Sequence, residues 1–165
     1  MAQPPPAGSR NPVRLLLYVP VPWVFILCYL LGIGLEYALP SNRGAQPSPA
    51  GWSIAGGVLL AIGAVLAAWS LWIFFRSRTT TVPGRKSTRL VTWGPYQFSR
   101  NPMYVSLTLV YLGEAALLRQ LWPVLLLPLT LAYLQWIVIP LEESRLVEVF
   151  AGEYERYRAR VRRWL

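Results

Sequence analysis

Five polar residues flank two long apolar segments and are the best candidates for chemistry in this chain. They are Arg100, Asn101, Tyr104, Glu142 and Glu143. An arginine guanidinium presents a planar fork of donors that matches a carboxylate. A glutamate accepts hydrogen bonds from an ammonium group or from ribose hydroxyls, and Asn and Tyr add neutral donors and acceptors. The set could therefore hold a zwitterionic, ribose-bearing cofactor, and the alternative is that the Arg and Glu residues only pair with one another at the level of the lipid headgroups.

Long apolar segments must position these residues, because 55% of the chain is hydrophobic and the apolar residues form continuous runs. Four runs are candidate membrane spans: residues 15–39, 52–75, 104–118 and 121–141. About 20 apolar residues cross a hydrocarbon core of about 30 Å as a helix. The third run is short, and we expect its helix to extend over residues 102–120. The sequence predicts an all-α integral membrane protein with about four transmembrane helices.

The third and fourth spans are joined by only a few residues around Arg119. A connection this short favours an antiparallel hairpin. Tyr104 at the start of the hairpin and Glu142 after its end would then return to the same membrane surface. The predicted hairpin is thus what brings the polar residues to one depth.

Basic residues mark that surface. The chain has 16 Lys and Arg against 7 acidic residues, a net charge of +9, and 14 of the 16 lie on one side of the predicted spans. Only Arg43 and Arg119 lie on the other side. The positive-inside bias places both termini and the 76–103 loop in the cytoplasm. The charge is therefore a topology signal, and it argues against nucleic acid as a partner, since nucleic-acid binding needs none of these spans.

The chain divides into a basic, Pro-rich tail at 1–14, two transmembrane helices within 15–75, and a third part at 76–165 that forms one domain with them. The first apolar run is too long for the core of a cleaved signal peptide, so we expect it to be retained. The tail is too poor in apolar residues to pack and is expected to be disordered. Glycines of the second span favour close helix packing. They are Gly51, Gly56, Gly57 and Gly63.

After Pro140 the sequence predicts an amphipathic C-terminal helix. Its apolar positions recur every three or four residues and form one continuous stripe. The stripe consists of Leu146, Val149, Phe150, Tyr154, Tyr157, Val161 and Trp164. Its aromatic residues favour an interfacial belt. A cap of Tyr154 and Tyr157 over a bound cofactor is the alternative interpretation.

The composition also excludes several kinds of chemistry. The chain contains no His and no Asp. Metal sites built on histidine and Ser-His-Asp triads are therefore excluded, and we expect no metal. Cys28 is the single cysteine, so an intramolecular disulfide is excluded.

From residue 90 onward the chain resembles the membrane methyltransferases that include isoprenylcysteine carboxyl methyltransferases and phospholipid N-methyltransferases. Four motifs over about 75 residues carry the resemblance. They are Gly94-Pro95-Tyr96, Arg100-Asn101-Pro102-Met103-Tyr104, Glu142-Glu143, and a tail from Phe150-Ala-Gly-Glu-Tyr154-Glu-Arg-Tyr157 to Val161-Arg162-Arg163-Trp164. Many isoprenylcysteine-type members have His where this chain has Asn101, and the phospholipid-methylating members are closer at this position.

The resemblance implies an enzyme that uses S-adenosyl-L-methionine (AdoMet) at the cytoplasmic face. A lipid-facing gap would admit a lipid, prenylated or amphiphilic substrate. By the same analogy, the protein would lie in a prokaryotic inner membrane. Arg100 and Tyr104 would hold the methionine portion, and catalysis would fall to Arg100, Asn101, Tyr104 and Glu143. The cofactor-binding residues would be Gly94, Pro95, Tyr96, Arg100, Pro102, Tyr104, Glu142, Glu143, Tyr154 and Tyr157.

The acceptor decides whether a base is needed. Methyl transfer from a sulfonium is an in-line displacement that depends mainly on alignment. A carboxylate or thiolate acceptor needs no base, whereas an amine must lose a proton, to Glu142, Glu143 or Tyr104. Two other functions fit the pattern less well: an NADPH-dependent membrane sterol-type reductase and a non-catalytic membrane protein.

Overall fold

A computed structural model describes residues 20–39, 50–77 and 90–165. The described chain is helical and contains no strand within these ranges, so the all-α prediction is confirmed. The elements are α1 (Val21–Ala38), α2 (Ala50–Arg76), a 3-10 turn (Gly94–Gln97), α3 (Pro102–Leu117), α4 (Leu121–Tyr133), a π turn (Leu134–Val138) and α5 (Ile139–Arg160). The predicted tail at 1–14 and the first half of the 76–103 loop lie largely or wholly outside the described residues.

Three helical segments in the described ranges are long and apolar enough to cross a membrane. They are α1, α2 and the helical stretch from Leu121 to Arg160. The remaining apolar helix, α3, has 16 residues and is therefore about 24 Å long, below the thickness of a typical hydrocarbon core. It ends at Leu117 rather than at residue 120, because Arg119 adopts a φ of 55° in the turn that follows. The integral membrane, multi-pass character is confirmed.

Helices α2 and α3 pack backbone to backbone at three glycines. A Cβ atom on Gly63 would lie 2.9 Å from the Ser106 carbonyl oxygen, and one on Gly113 would lie 2.6 Å from the Leu60 amide nitrogen. Gly56 faces Gly113 and is equally crowded. The predicted close packing is confirmed for Gly56 and Gly63 and is wrong for Gly51 and Gly57, where an added Cβ would meet nothing within 4 Å. It holds the amino end of α3, and hence the candidate site, against the carboxyl end of α2.

The second helix pair consists of α1 and α4. Gly32 of α1 lies against Pro123 of α4, where a Cβ atom would approach the proline ring to 2.7–2.8 Å. Glu36 of α1 caps α4, since its Oε2 accepts the amide hydrogens of Leu121 (3.1 Å) and Trp122 (3.3 Å). A carboxylate is stabilised there because a helix amino end carries partial positive charge. The two pairs meet in a core that includes Phe25, Tyr29, Tyr111 and Leu134.

Helix α5 is broken at Ala151, whose φ of 40° and ψ of −123° are not helical. The prediction of one continuous apolar stripe is therefore wrong. Val149, before the break, is 47% exposed, whereas Tyr154 and Tyr157, after it, are buried. The break rotates the last turns of α5 so that these two tyrosines face the protein interior. Residues 161–165 follow the helix and are here called the strap. The backbone of Val161, the first of them, is extended.

Candidate functional site

The two ends of the α3–α4 hairpin meet at a short hydrogen bond. The hydroxyl of Tyr104, in the first turn of α3, donates to Oε1 of Glu142, in the first turn of α5, at 2.7 Å. The two residues are 38 positions apart. A bond of this length between a hydroxyl and a carboxylate is charge-assisted. It fixes one acidic group at the end of the helices where the basic residues also lie.

The neighbouring glutamate is held between two arginines. Arg100 Nη1 lies 3.1 Å from Glu143 Oε1, while Arg163 approaches both carboxylate oxygens, with Nη2 2.7 Å from Oε2 and Nε 3.0 Å from Oε1. Glu143 is only 8% exposed. A buried carboxylate requires such partners, because removing a charge from water is costly unless it is paired and hydrogen-bonded. The three side chains carry a net charge of about +1 at neutral pH.

Three tyrosines surround these charges. The Tyr154 hydroxyl lies 3.4 Å from Arg100 Nη1 and accepts its hydrogen bond. The Tyr157 hydroxyl donates to the backbone oxygen of Tyr96 at 2.7 Å. Burial, the Tyr157 hydroxyl and the charge of Glu142 together raise the pKa of Tyr96, so it stays a neutral phenol. The tyrosines therefore present hydroxyl groups and ring faces around the charged residues.

The Gly94-Pro95-Tyr96 segment is a 3-10 turn that packs against the carboxyl end of α2. Gly94 has a φ of 66°, and a Cβ there would overlap Ile73 Cδ1, so the position requires glycine. Pro95 is buried, and the Tyr96 ring meets Phe74 edge to face at 5.5 Å. These contacts hold the segment against α2 and fix the position of Tyr96.

Asn101 and Pro102 shape the start of α3. Pro102 is buried at the first helical position, where its missing amide hydrogen costs nothing. The Asn101 side chain donates from Nδ2 to the backbone oxygen of Arg163 at 3.0 Å. The Asn101 side chain is thus bound to the backbone of residues 161–165 rather than to the charged side chains.

One donor of Arg100 has no partner among the described residues. Its Nε atom is buried and makes no hydrogen bond within the described part of the chain. A buried donor left in this state costs about 1–3 kcal/mol. The guanidinium of Arg100 therefore has a donor that makes no hydrogen bond. Its position beside a phenol and a carboxylate suits a ligand that carries a carboxylate.

The sequence did not predict the contact between Arg163 and Glu143. Arg163 appeared only among the basic residues and in the tail motif, because nothing in the spacing indicates that the strap folds back onto Glu143. The hydrogen bonds to Glu143 raise the pKa of the Arg163 guanidinium, which is thus charged at any working pH. Ser99 was also missed, and its hydroxyl donates to the Arg163 backbone oxygen at 3.1 Å.

A cavity of about 250 Å³ lies at the opposite end of the helices, far from these residues. It is lined by Ile33, Glu36, Tyr37, Leu118, Arg119 and Gln120. Its polar groups serve the fold, since Glu36 caps α4 and Gln120 accepts a hydrogen bond from Tyr29 at 2.8 Å. We therefore place the candidate site at the end of the helices that carries Arg100 and Glu143.

Comparison with known proteins gives the family of the chain. The family model described as phospholipid methyltransferase matches residues 52–153, more than half of the chain. The chain belongs to the phospholipid methyltransferase family. No curated protein and no solved structure matches it.

Membership in the family makes the protein an integral-membrane methyltransferase that acts on lipid-type substrates. The matched region contains Arg100, Tyr104, Glu142 and Glu143. It ends just before Tyr154, so the last turns of α5 and the strap lie beyond it. The contacts of these later residues with the matched region are known from the structure alone.

Proposed function

We propose that the protein is an AdoMet-dependent methyltransferase that transfers a methyl group to a lipid or amphiphilic acceptor at the cytoplasmic membrane face. The acceptor is an isoprenylcysteine-type carboxylate or a phospholipid amine. The observation that supports this most strongly is the juxtaposition of Arg100 and Glu143 with the Tyr104–Glu142 pair. Arg100, Glu143 and Arg163 form a part of the site with net positive charge, and Tyr104 and Glu142 form an acidic part.

The residues suit the two kinds of charge on the amino acid portion of AdoMet. Arg100, with its unpartnered buried Nε, is the donor for a carboxylate. Glu142 uses one oxygen for Tyr104 and is the acceptor for an ammonium group or for ribose hydroxyls. Glu143 is already paired with two guanidinium groups, so we assign it the task of holding Arg100.

The surrounding residues complete the proposed site. Tyr96, Tyr154 and Tyr157 provide a partly aromatic cover on one side of Arg100. Gly94, Pro95 and Pro102 fix the backbone on which Arg100 and Tyr104 are carried. Asn101 acts through its hydrogen bond to the strap. Residues 76–165 and the two N-terminal helices act together as one domain.

AdoMet supplies a methyl group on a sulfonium, which the acceptor takes by in-line displacement with departure of the neutral thioether. A carboxylate acceptor requires no proton movement. For an amine acceptor, Glu142 is the group placed to receive the proton, since its carboxylate has an oxygen beyond the one bound to Tyr104. No step requires a metal ion.

The charge distribution supports the proposed orientation. The described basic residues near the site include Arg76, Arg100 and Arg145, and the last turns of α5 add more. Only Arg119 lies at the opposite end among the described basic residues. By the positive-inside bias, the site and both termini face the cytoplasm of a prokaryotic inner membrane. The same residues attract anionic headgroups, which raises the local concentration of lipid substrates.

Calorimetric titration of AdoMet into detergent-purified protein tests the proposal. We expect saturable binding that is lost in Arg100→Ala, and no binding of NADPH. Folding of the variant is checked by its thermal melting in the same detergent. Binding of NADPH but not of AdoMet would support the sterol-type reductase, and binding of neither by folded protein would support a non-catalytic membrane protein.

A further inference from the structure

The strap, residues 161–165, lies across the loop that precedes α3. The backbone oxygen of Arg162 accepts the amide hydrogen of Arg100 at 2.8 Å. The next backbone oxygen, that of Arg163, accepts from Asn101 Nδ2 and from Ser99 Oγ. On its other side the strap is held by Trp164, whose Nε1 donates to Gln135 Oε1 at 2.8 Å. The strap is therefore fixed to two separate segments of the chain.

This fixed backbone places the Arg163 side chain on Glu143. The contact is bidentate, from Nε to Oε1 at 3.0 Å and from Nη2 to Oε2 at 2.7 Å, and it defines the plane of the carboxylate. Arg100 pairs with Oε1 of that same carboxylate, so its position depends on how Arg163 orients Glu143. The dependence is strong because the Arg100 and Glu143 side chains are only 10% and 11% exposed, where water cannot replace a lost partner.

We infer that Arg163 is a positioning residue of the site: from the strap it orients Glu143, and through Glu143 it holds Arg100 where Arg100 receives the carboxylate of the methyl donor. Arg163 itself does not contact the donor. The inference rests on the proposed function and extends the site beyond the region matched by the family. It also explains the hydrogen bond of Asn101, which holds the strap in register with the loop.

A charge-matched pair of variants tests the inference. Arg163→Gln removes the contact with Glu143, whereas Arg162→Gln removes the same charge from an exposed neighbouring side chain whose backbone oxygen is unaffected. We expect AdoMet affinity, measured by calorimetry in detergent, to fall roughly tenfold or more in Arg163→Gln, because a bidentate charge-assisted contact is lost. Arg162→Gln should retain the affinity of the wild-type protein.

Two further variants separate positioning from a general effect on folding. Arg163→Lys keeps the charge but not the planar fork, so it should recover only part of the affinity. Combining Arg163→Gln with Glu143→Gln should weaken binding little more than Glu143→Gln alone, since the first residue acts through the second. Thermal melting of each variant in the same detergent shows whether it is folded.

The outcomes distinguish the inference from the proposed function. If the folded wild-type protein does not bind AdoMet, the proposed function fails and the inference fails with it. If the wild-type protein binds and folded Arg163→Gln matches Arg162→Gln, only the inference is wrong. Should Arg163→Gln not fold, wild-type affinity in Arg163→Lys would refute the inference, and an intermediate affinity would support it.

Discussion

Replacing Tyr104 with Phe removes one oxygen atom from the candidate site and leaves the aromatic ring in place. The lost hydroxyl donates to Glu142 Oε1 at 2.7 Å, and it is the one hydrogen-bond donor that the structure gives to Glu142 among the described residues. Without it, the carboxylate is free to turn away from the position that we assign to the ammonium or ribose groups of AdoMet. The variant therefore tests whether Glu142 must be held in place.

The size of the effect follows from the type of contact. A hydrogen bond to a charged group contributes about 1.5–3 kcal/mol. If the full contact is needed for binding, the dissociation constant for AdoMet should rise about 10- to 150-fold, since each 1.4 kcal/mol corresponds to roughly tenfold. Tyr104 is half-buried and Glu142 is partly exposed, so water replaces some of the lost bond and the lower part of this range is expected.

The measurement is calorimetric titration of AdoMet into the purified variant. Tyr37→Phe is the matched control, because it removes a phenolic hydroxyl that is 85% exposed, at the opposite end of the helices. Thermal melting of both variants verifies that they are folded. An affinity within about twofold of wild type in folded Tyr104→Phe would show that the orientation of Glu142 does not matter for binding, which would remove this pair from the proposed site.

Three other predictions concern the scaffold and are measured by thermal melting in detergent. Gly113→Ala should destabilise the protein by about 1–3 kcal/mol, because the new Cβ would lie 2.6 Å from the Leu60 amide nitrogen, while Gly57→Ala, in open space, should cause no loss. Equal melting temperatures for the two would contradict the α2–α3 packing. Ala151→Gly should stabilise the protein by about 1 kcal/mol, since glycine adopts a φ of 40° without strain, and a lower melting temperature would argue against the break in α5. Glu36→Gln should weaken the cap of α4 by about 0.5–2 kcal/mol and leave AdoMet affinity unchanged, so a change in affinity would link the two ends of the helices.

The sequence alone was sufficient to predict the membrane character and the location of the polar residues. Membrane spans can be recognised in a sequence because crossing the hydrocarbon core requires about 20 consecutive apolar residues. The short connection between α3 and α4 likewise predicted that Tyr104 and Glu142 return to one surface, and the structure places them in contact. The motif resemblance gave the family, which the match over residues 52–153 shows.

Only the tertiary structure decided which partners each charged group has. The sequence predicted the same chemistry for Glu142 and Glu143. In the structure, Glu142 is held by Tyr104, whereas Glu143 is held by Arg100 and Arg163. Adjacent residues on a helix point about 100° apart, so their partners come from different segments that only packing brings together. The break at Ala151 was not predicted either, because alanine favours helix, whereas its φ and ψ in the structure are not helical. Local sequence thus determined which residues lie at the ends of the apolar helices, and non-local contacts determined what each of them binds.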